Sequence, residues 1–183
     1  MLTQAVTEIY PVDSNLTITA IECIAKDKPK TLGVFSTRNQ SIPYIINSIR
    51  QGRTTAATPA NPRSSRSHLI ITISGRTQYG MLVDIGGEEE SMIRSTLPDQ
   101  MSKISMEISH DNCNFRRLLE QIMKRQDFSV PGLKRASGLN AAVCSFMERV
   151  AGPEGTPGVD VKVLITCDGG RVDLLKRTLA SYY

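Results

Sequence analysis

Residues 58–68, TPANPRSSRSH, gather two prolines, two arginines, four hydroxyl side chains, an asparagine and a histidine directly ahead of the apolar run LIITI. Arginine forks and hydroxyls are the side chains that recognise phosphate, so the stretch predicts a loop shaped around a phosphate group. A second stretch, DIGGEE at 84–89, closes an apolar run with a carboxylate and two glycines. The glutamates after Gly87 make it a poor anion site by themselves, because like charges repel. A complete phosphate cradle also needs consecutive backbone N–H groups, a lysine for the terminal phosphates and a hydroxyl for magnesium, written G-x-x-x-x-G-K-[ST]. That pattern occurs nowhere in the sequence. A third group is cationic: Arg116, Arg117, Lys124, Arg125, Lys134 and Arg135.

The elements that must position these residues follow from patterning. The stretch 16–25, LTITAIECIA, predicts a strand apolar on both faces, and TLGVF a second short strand. SIPYIINSIRQG predicts a helix starting near Ser41, with Ile45, Ile46 and Ile49 on one side and Gly52 as its stop. A loop over 53–66 leads to the strand HLIITIS, and TQYGMLVDIGG predicts the next strand. From about 101 to 125, Ile104, Ile108, Phe115, Leu118, Leu119 and Ile122 recur at helical spacing. QDFSVPGLKRASG predicts a loop broken by Pro131 and Gly132, followed by a shorter helix through Leu139, Val143, Phe146 and Val150. GPEGTPG is a turn, VDVKVLITC a buried strand, and RVDLLKRTLASYY a closing helix through Val172, Leu175 and Leu179. Strands alternating with helices imply an α/β fold, a layered central β-sheet flanked by helices.

Composition bounds the function. The 183 residues fit a single domain, with 40% hydrophobic and 22% charged residues. No apolar run approaches the ~20 residues of a membrane span, and the start MLTQAVTEIYPVD lacks the pattern of a secretory leader. A cytoplasmic protein is expected. The net charge of +4 leans toward anionic partners. The absence of tryptophan and the 5% aromatic content argue against a stacking platform for nucleic acid. Cys23, Cys113, Cys144 and Cys167 are too scattered for a zinc site or a disulfide framework, so four buried free thiols and no metal are expected.

Two motifs carry a family resemblance. NPRSSRSH at 61–68 matches the switch I pattern N-x-x-S-S-R-S-H of kinesin motor domains at every fixed position, and DIGGEE resembles their switch II pattern D-L-A-G-S-E at Asp84, Gly87 and Glu89. IRQGRTTAATPAN fits the helix, glycine and R-x-x-A-x-T that precede switch I in that family, SVPGLKRASGLN looks like a stretched V-P-Y-R-D-S-K-L-T, and KRTLASYY is similar to the final T-L-x-F-A helix. The resemblance implies an architecture related to the P-loop nucleotidases, reduced to one domain over 1–183 without the half that carries the phosphate loop. It also implies roles for the switch remnants Asn61, Ser64, Ser65, Arg66, Ser67, His68, Asp84, Gly87 and Glu89. In a working motor, Ser64 and Ser65 would help hold magnesium and water, and Asp84 would hold magnesium through water. Gly87 would sense the γ-phosphate through its amide, and Arg66 and Glu89 would bridge the switches. The phosphate-loop strand of a motor lies between the switch II strand and the last strand, so its loss leaves a gap. Either VKVLITC pairs with YGMLVDI or another chain fills it; we favour the first.

Structural roles stand beside these. An Arg66–Glu89 ion pair is costly to break on one side, about 3–5 kcal/mol, and can persist for integrity alone. Loop serines satisfy backbone donors. His68 reads as a satisfied residue at a strand start, and GGEEE as the first turn of a helix. The six cations read either as a solvated face or, through the resemblance, as a contact with acidic tubulin. The resulting expectation is a non-catalytic, kinesin-like module without cofactor, binding microtubules or another protein at the cytoskeleton, with an active kinesin chain as a candidate for pairing, and binding neither nucleic acid nor membrane. The alternatives are the second half of a split or truncated ATP-dependent motor, and an interaction domain that has given up tubulin.

Overall fold

The computed structural model describes residues 15–24, 29–56, 64–65, 67–75, 78–86, 99–123, 131–151, 160–167 and 170–172. Eight strands are present among them: β1 (Thr17–Cys23), β2 (Lys30–Ser36), β3 (Thr55–Ala56), β4 (Ser64–Ser65), β5 (His68–Ser74), β6 (Gln78–Asp84), β7 (Asp160–Cys167) and β8 (Gly170–Val172). The helices are α1 (Ile42–Gly52), α2 (Asp99–Met123), α3 (Pro131–Lys134) and α4 (Gly138–Ala151).

Six strands form one mixed sheet in the order β2-β1-β5-β6-β7-β8, and β3 and β4 form a separate two-stranded ladder. β6 and β7 are parallel, with Gln78 opposite Asp160 and Asp84 opposite Thr166. The other neighbours in the sheet are antiparallel. The strand after the DIGGEE stretch's own strand is therefore VKVLITC, hydrogen-bonded to it directly, as expected if the sheet closes on itself. A parallel neighbour needs a crossover rather than a hairpin, and α2, α3 and α4 lie in the connection between β6 and β7.

Strand alternation sends side chains to two faces. Ile18 and Ala20 of β1, Leu69, Ile71 and Ile73 of β5, Leu82 of β6 and Phe35 of β2 pack with Ile45 and Ile49 of α1. On the other face Cys23, Ile70, Met81 and Val83 meet Phe115, Leu118 and Leu119 of α2 and Leu139, Val143, Phe146 and Met147 of α4. This is the layered α/β arrangement that the alternation of patterns implies. Of the apolar stripe on α2, Ile108, Phe115, Leu118 and Leu119 are buried; the side chains of Ile104 and Ile122, and that of Val150 on α4, lie outside the described set.

Local chemistry sets the helix bounds. The side chain of Ser41 caps α1 by accepting from the Tyr44 N–H, and Pro43 sits in the first turn, where its missing donor costs nothing. Arg53 follows α1 in extended conformation and turns the chain back toward the sheet. At the sheet edge the register of β2 slips between Ala20–Gly33 and Ile21–Thr31, leaving Leu32 as an extra residue. Such a bulge bends an exposed edge and blunts it against further pairing.

Four expectations need correction. The loop around Pro131 holds the short helix α3, because proline is well placed at a first helical turn. Val172 belongs to β8, paired with Ile165, rather than to a closing helix; residues 173–183 lie outside the described set. Residues 53–66 include the β3–β4 ladder, with Thr55 opposite Ser65. Cys113 is exposed on the solvent side of α2, whereas Cys23 and Cys144 are buried as free thiols. Among the described residues no helix is long and apolar enough to cross a membrane, and no group of three or more His, Cys, Asp or Glu could hold a metal ion.

Candidate functional site

The end of β1, the residues after α1, the start of β5 and the end of β6 converge. Register brings them there: Cys23 lies opposite His68, and Leu69 opposite Asp84. The side chains that meet are polar, and their partners decide what the cluster can do.

Glu22 is fully buried, at 0% exposure. A carboxylate in that position must be hydrogen-bonded. It accepts from the Thr54 N–H at 2.7 Å, the Thr54 hydroxyl at 3.0 Å and the Ser67 hydroxyl at 2.6 Å. Lys30 Nζ stands 4.0 Å away. Beside it, the guanidinium of Arg53 spans two strands. One nitrogen contacts Asp84 Oδ2 at 2.5 Å and the other donates to the Ser67 carbonyl at 2.9 Å. The Arg53 side chain is only 13% exposed, that of Asp84 44%.

His68 makes the next link. Its Nδ1 accepts from the Gly86 N–H at 3.1 Å, which places the ring proton of the neutral imidazole on Nε2. Nε2 faces Asp111 Oδ2 of α2 at 3.7 Å, with both side chains buried. Asn112, one residue on, donates to the Gly86 carbonyl at 3.0 Å. Gly86 has little room to spare, since a Cβ there would lie 3.2 Å from the Ser67 carbonyl oxygen and 3.3 Å from Ile108 Cγ2. With its acceptor nitrogen engaged and no exposed surface, His68 is a structural residue at the strand start, not a base open to substrate. Cys23 sits at the same end of β1. Burial, with Asp111 and then Glu22 adding negative potential, pushes its thiol up to about 11.

Of the switch remnants, the structure thus joins Ser67, His68 and Asp84. Ser64 and Ser65 form β4, paired with Ala56 and Thr55. Asn61, Arg66, Gly87 and Glu89 lie outside the described residues, as does the GGEEE segment beyond Gly86. The carboxylate that the resemblance assigns to magnesium faces a guanidinium, a permanent cation. Glu22, Arg53, Thr54, Asp111 and Asn112 complete the cluster, and sequence reasoning assigned none of them a site role. The signal for Glu22 was there: a lone carboxylate in the apolar strand TITAIEC must find partners.

The cationic residues are distributed differently. Arg116 and Arg117 are exposed on α2, and Arg135 is exposed just after α3. Lys134 is partly buried and bonded to Glu148 of α4 at 2.6 Å. Lys124 and Arg125 lie outside the described residues.

No protein-family model matches the chain, and no curated protein matches it. Among solved structures, it is similar to residues 391–755 of KIF14 with ADP in complex with a microtubule, at a TM-score of 0.57 and 14% identity. The likeness covers 99% of this chain and 61% of that one, so the chain spans about three-fifths of the length of that structure. At that identity what is shared is the fold: the chain has the α/β architecture of a kinesin motor domain.

Proposed function

We propose that this chain is a non-catalytic, kinesin-like binding module, unable to bind or hydrolyse ATP on its own, with the microtubule as its partner at the cytoskeleton. The observation that carries the reading is that the pattern G-x-x-x-x-G-K-[ST] occurs nowhere in the sequence, and Asp84 stands against Arg53. Phosphoryl transfer depends on positioning and electrostatics around metal and phosphate. Here the carboxylate matched to the magnesium position is neutralised from within the chain, and the sequence contains no phosphate cradle. The partner is supported by the likeness to a structure in complex with a microtubule, and by the exposed cations Arg116, Arg117 and Arg135, which suit an acidic surface.

Co-sedimentation with microtubules across a salt series tests the partner. Pelleting at low salt that fades as salt rises is expected, because screening weakens exposed attraction; no pelleting at low salt favours an interaction domain that has given up tubulin. Charge reversal at Lys134 and Arg135 should weaken pelleting. Lys134 is paired with Glu148, so its reversal exchanges an attraction of up to about 1 kcal/mol for a repulsion and should lower the melting temperature by a few degrees, whereas reversal at exposed Arg135 alone should hardly move it. A second reading, the latter half of an ATP-dependent motor, is favoured by retention of both NPRSSRSH and DIGGEE. Titration calorimetry with Mg-ATP separates the two: micromolar binding to this chain would overturn the non-catalytic reading.

A further inference from the structure

We infer that His68 is a proton-operated catch at the end of β6: a proton taken up on its Nδ1 frees the Gly86 amide and joins the imidazolium to Asp111 of α2. The inference goes beyond the reading above and holds whatever the partner. The Gly86 N–H donates to Nδ1 at 3.1 Å, so in the neutral ring that nitrogen is the acceptor and Nε2 carries the proton. Nε2 faces Asp111 Oδ2 but stops 3.7 Å short of it, beyond hydrogen-bond distance. Both atoms are buried and have no hydrogen-bond partner among the described residues. Buried polar atoms are seldom left in that condition.

The two sides of the ring cannot be served together. A proton on Nδ1 turns it from acceptor to donor, so it meets the Gly86 N–H donor to donor and that bond is lost. The same proton sets a charge beside the Asp111 carboxylate, and the pair strengthens as the gap closes. One arrangement holds Gly86 and leaves Nε2 and Oδ2 unjoined; the other joins them and orphans the Gly86 amide. Each leaves a buried group unserved, which brings two arrangements close enough in energy for one proton to choose between them. The other titratable groups around this end of the sheet are committed. Glu22 accepts from Thr54 and Ser67, with Lys30 nearby, and Arg53 pairs with Asp84. The Cys23 thiol, opposite His68 in register, is pushed up to about 11 by burial first and Asp111 next. Cys144 of α4, in the same core, is also raised to about 11, chiefly by burial. Asn112 ties the Gly86 carbonyl to α2, so a change at Gly86 reaches the helix that presents Arg116 and Arg117.

NMR of the isotope-labelled full chain tests the catch between about pH 7.5 and about pH 5, the range in which histidine takes up a proton. The chain has only two histidines, so the two imidazoles are readily told apart. At the upper end the His68 Nδ1 should carry no proton and should show a scalar coupling to the Gly86 N–H across their hydrogen bond. On acidification both ring nitrogens should become protonated, the coupling should vanish, and the Gly86 amide shift should move with the same midpoint. In His68→Asn the side-chain oxygen can take the place of Nδ1 as acceptor without titrating, so the Gly86 shift should stay flat. Asp111→Asn, which removes the answering charge, should demand about tenfold more acid for the same change; it serves alone if His68→Asn does not fold. A proton on Nδ1 at the upper end, a Gly86 coupling that survives to the lower end, or a midpoint unmoved by Asp111→Asn would each overturn the catch. So would loss of the core Ile71 amide signal before Gly86 responds, since that is global unfolding.

Discussion

Replacing Glu22 tests how much the fold relies on the buried cluster. Its carboxylate is at 0% exposure and accepts three hydrogen bonds of 2.6–3.0 Å. In Glu22→Ala the Ser67 hydroxyl, also buried at 0%, loses its acceptor, which costs about 1–3 kcal/mol. Thr54 is on the exposed side of the chain, so water can recover part of what its two donors lose. Relief from burying a charge works in the opposite direction. The net expectation is a destabilisation of about 3 kcal/mol, most of it from the orphaned donors and the loss of packing around them. Glu22→Gln should be milder, about 1–2 kcal/mol, because Oε1 can still serve the Thr54 N–H and Ser67, and the Thr54 hydroxyl can rotate to accept from the new amide. The decisive measurement is a double-mutant cycle of Glu22→Ala with Ser67→Ala, since removing both partners removes the orphan. A favourable coupling of about 1–2 kcal/mol is expected. Urea unfolding followed by far-ultraviolet circular dichroism is the suitable assay, because the chain has no tryptophan. A Glu22→Ala variant within about 0.5 kcal/mol of the parent, or a cycle with no coupling, would refute the claim that the cluster holds the strand ends together.

Three further outcomes follow from the packing. Leu118→Ala, at a fully buried position where α2 meets the sheet and α4, should lower unfolding stability by about 2–5 kcal/mol in the same urea experiment. Stability should also fall at high pH. The thiols of Cys23 and Cys144 rise from 9.0 to about 11 in the folded chain, chiefly through burial. The unfolded chain therefore loses these protons first, and between pH 9 and 11 each thiol removes up to about 1.4 kcal/mol per pH unit. Cys23→Ser and Cys144→Ser variants should flatten that decline. Finally, maleimide should label exposed Cys113 in the native protein, while Cys23 and Cys144 react only after unfolding; mass spectrometry of the peptides would read this, and native labelling of Cys144 would contradict its burial.

Much of the fold was legible along the chain because its causes are local. The alternation in LTITAIEC and HLIITIS places residues on both sheet faces, and the Ile45, Ile46 and Ile49 spacing with Ser41 at its head sets α1. Only tertiary structure showed that Cys113 faces solvent, that Lys134 spends its charge on Glu148, and that the four residues Pro131–Lys134 are helical. The site divides the same way. Ser67, His68 and Asp84 stand out by motif, but what they do depends on groups far away in sequence: Arg53 is 31 residues from Asp84, Thr54 is 32 from Glu22, and Ser67 is 45 from Glu22. Periodicity and capping act within a few residues and can be read from order alone. Which charge a buried carboxylate finds is settled only when the strands have paired, because register, not sequence distance, decides the neighbour.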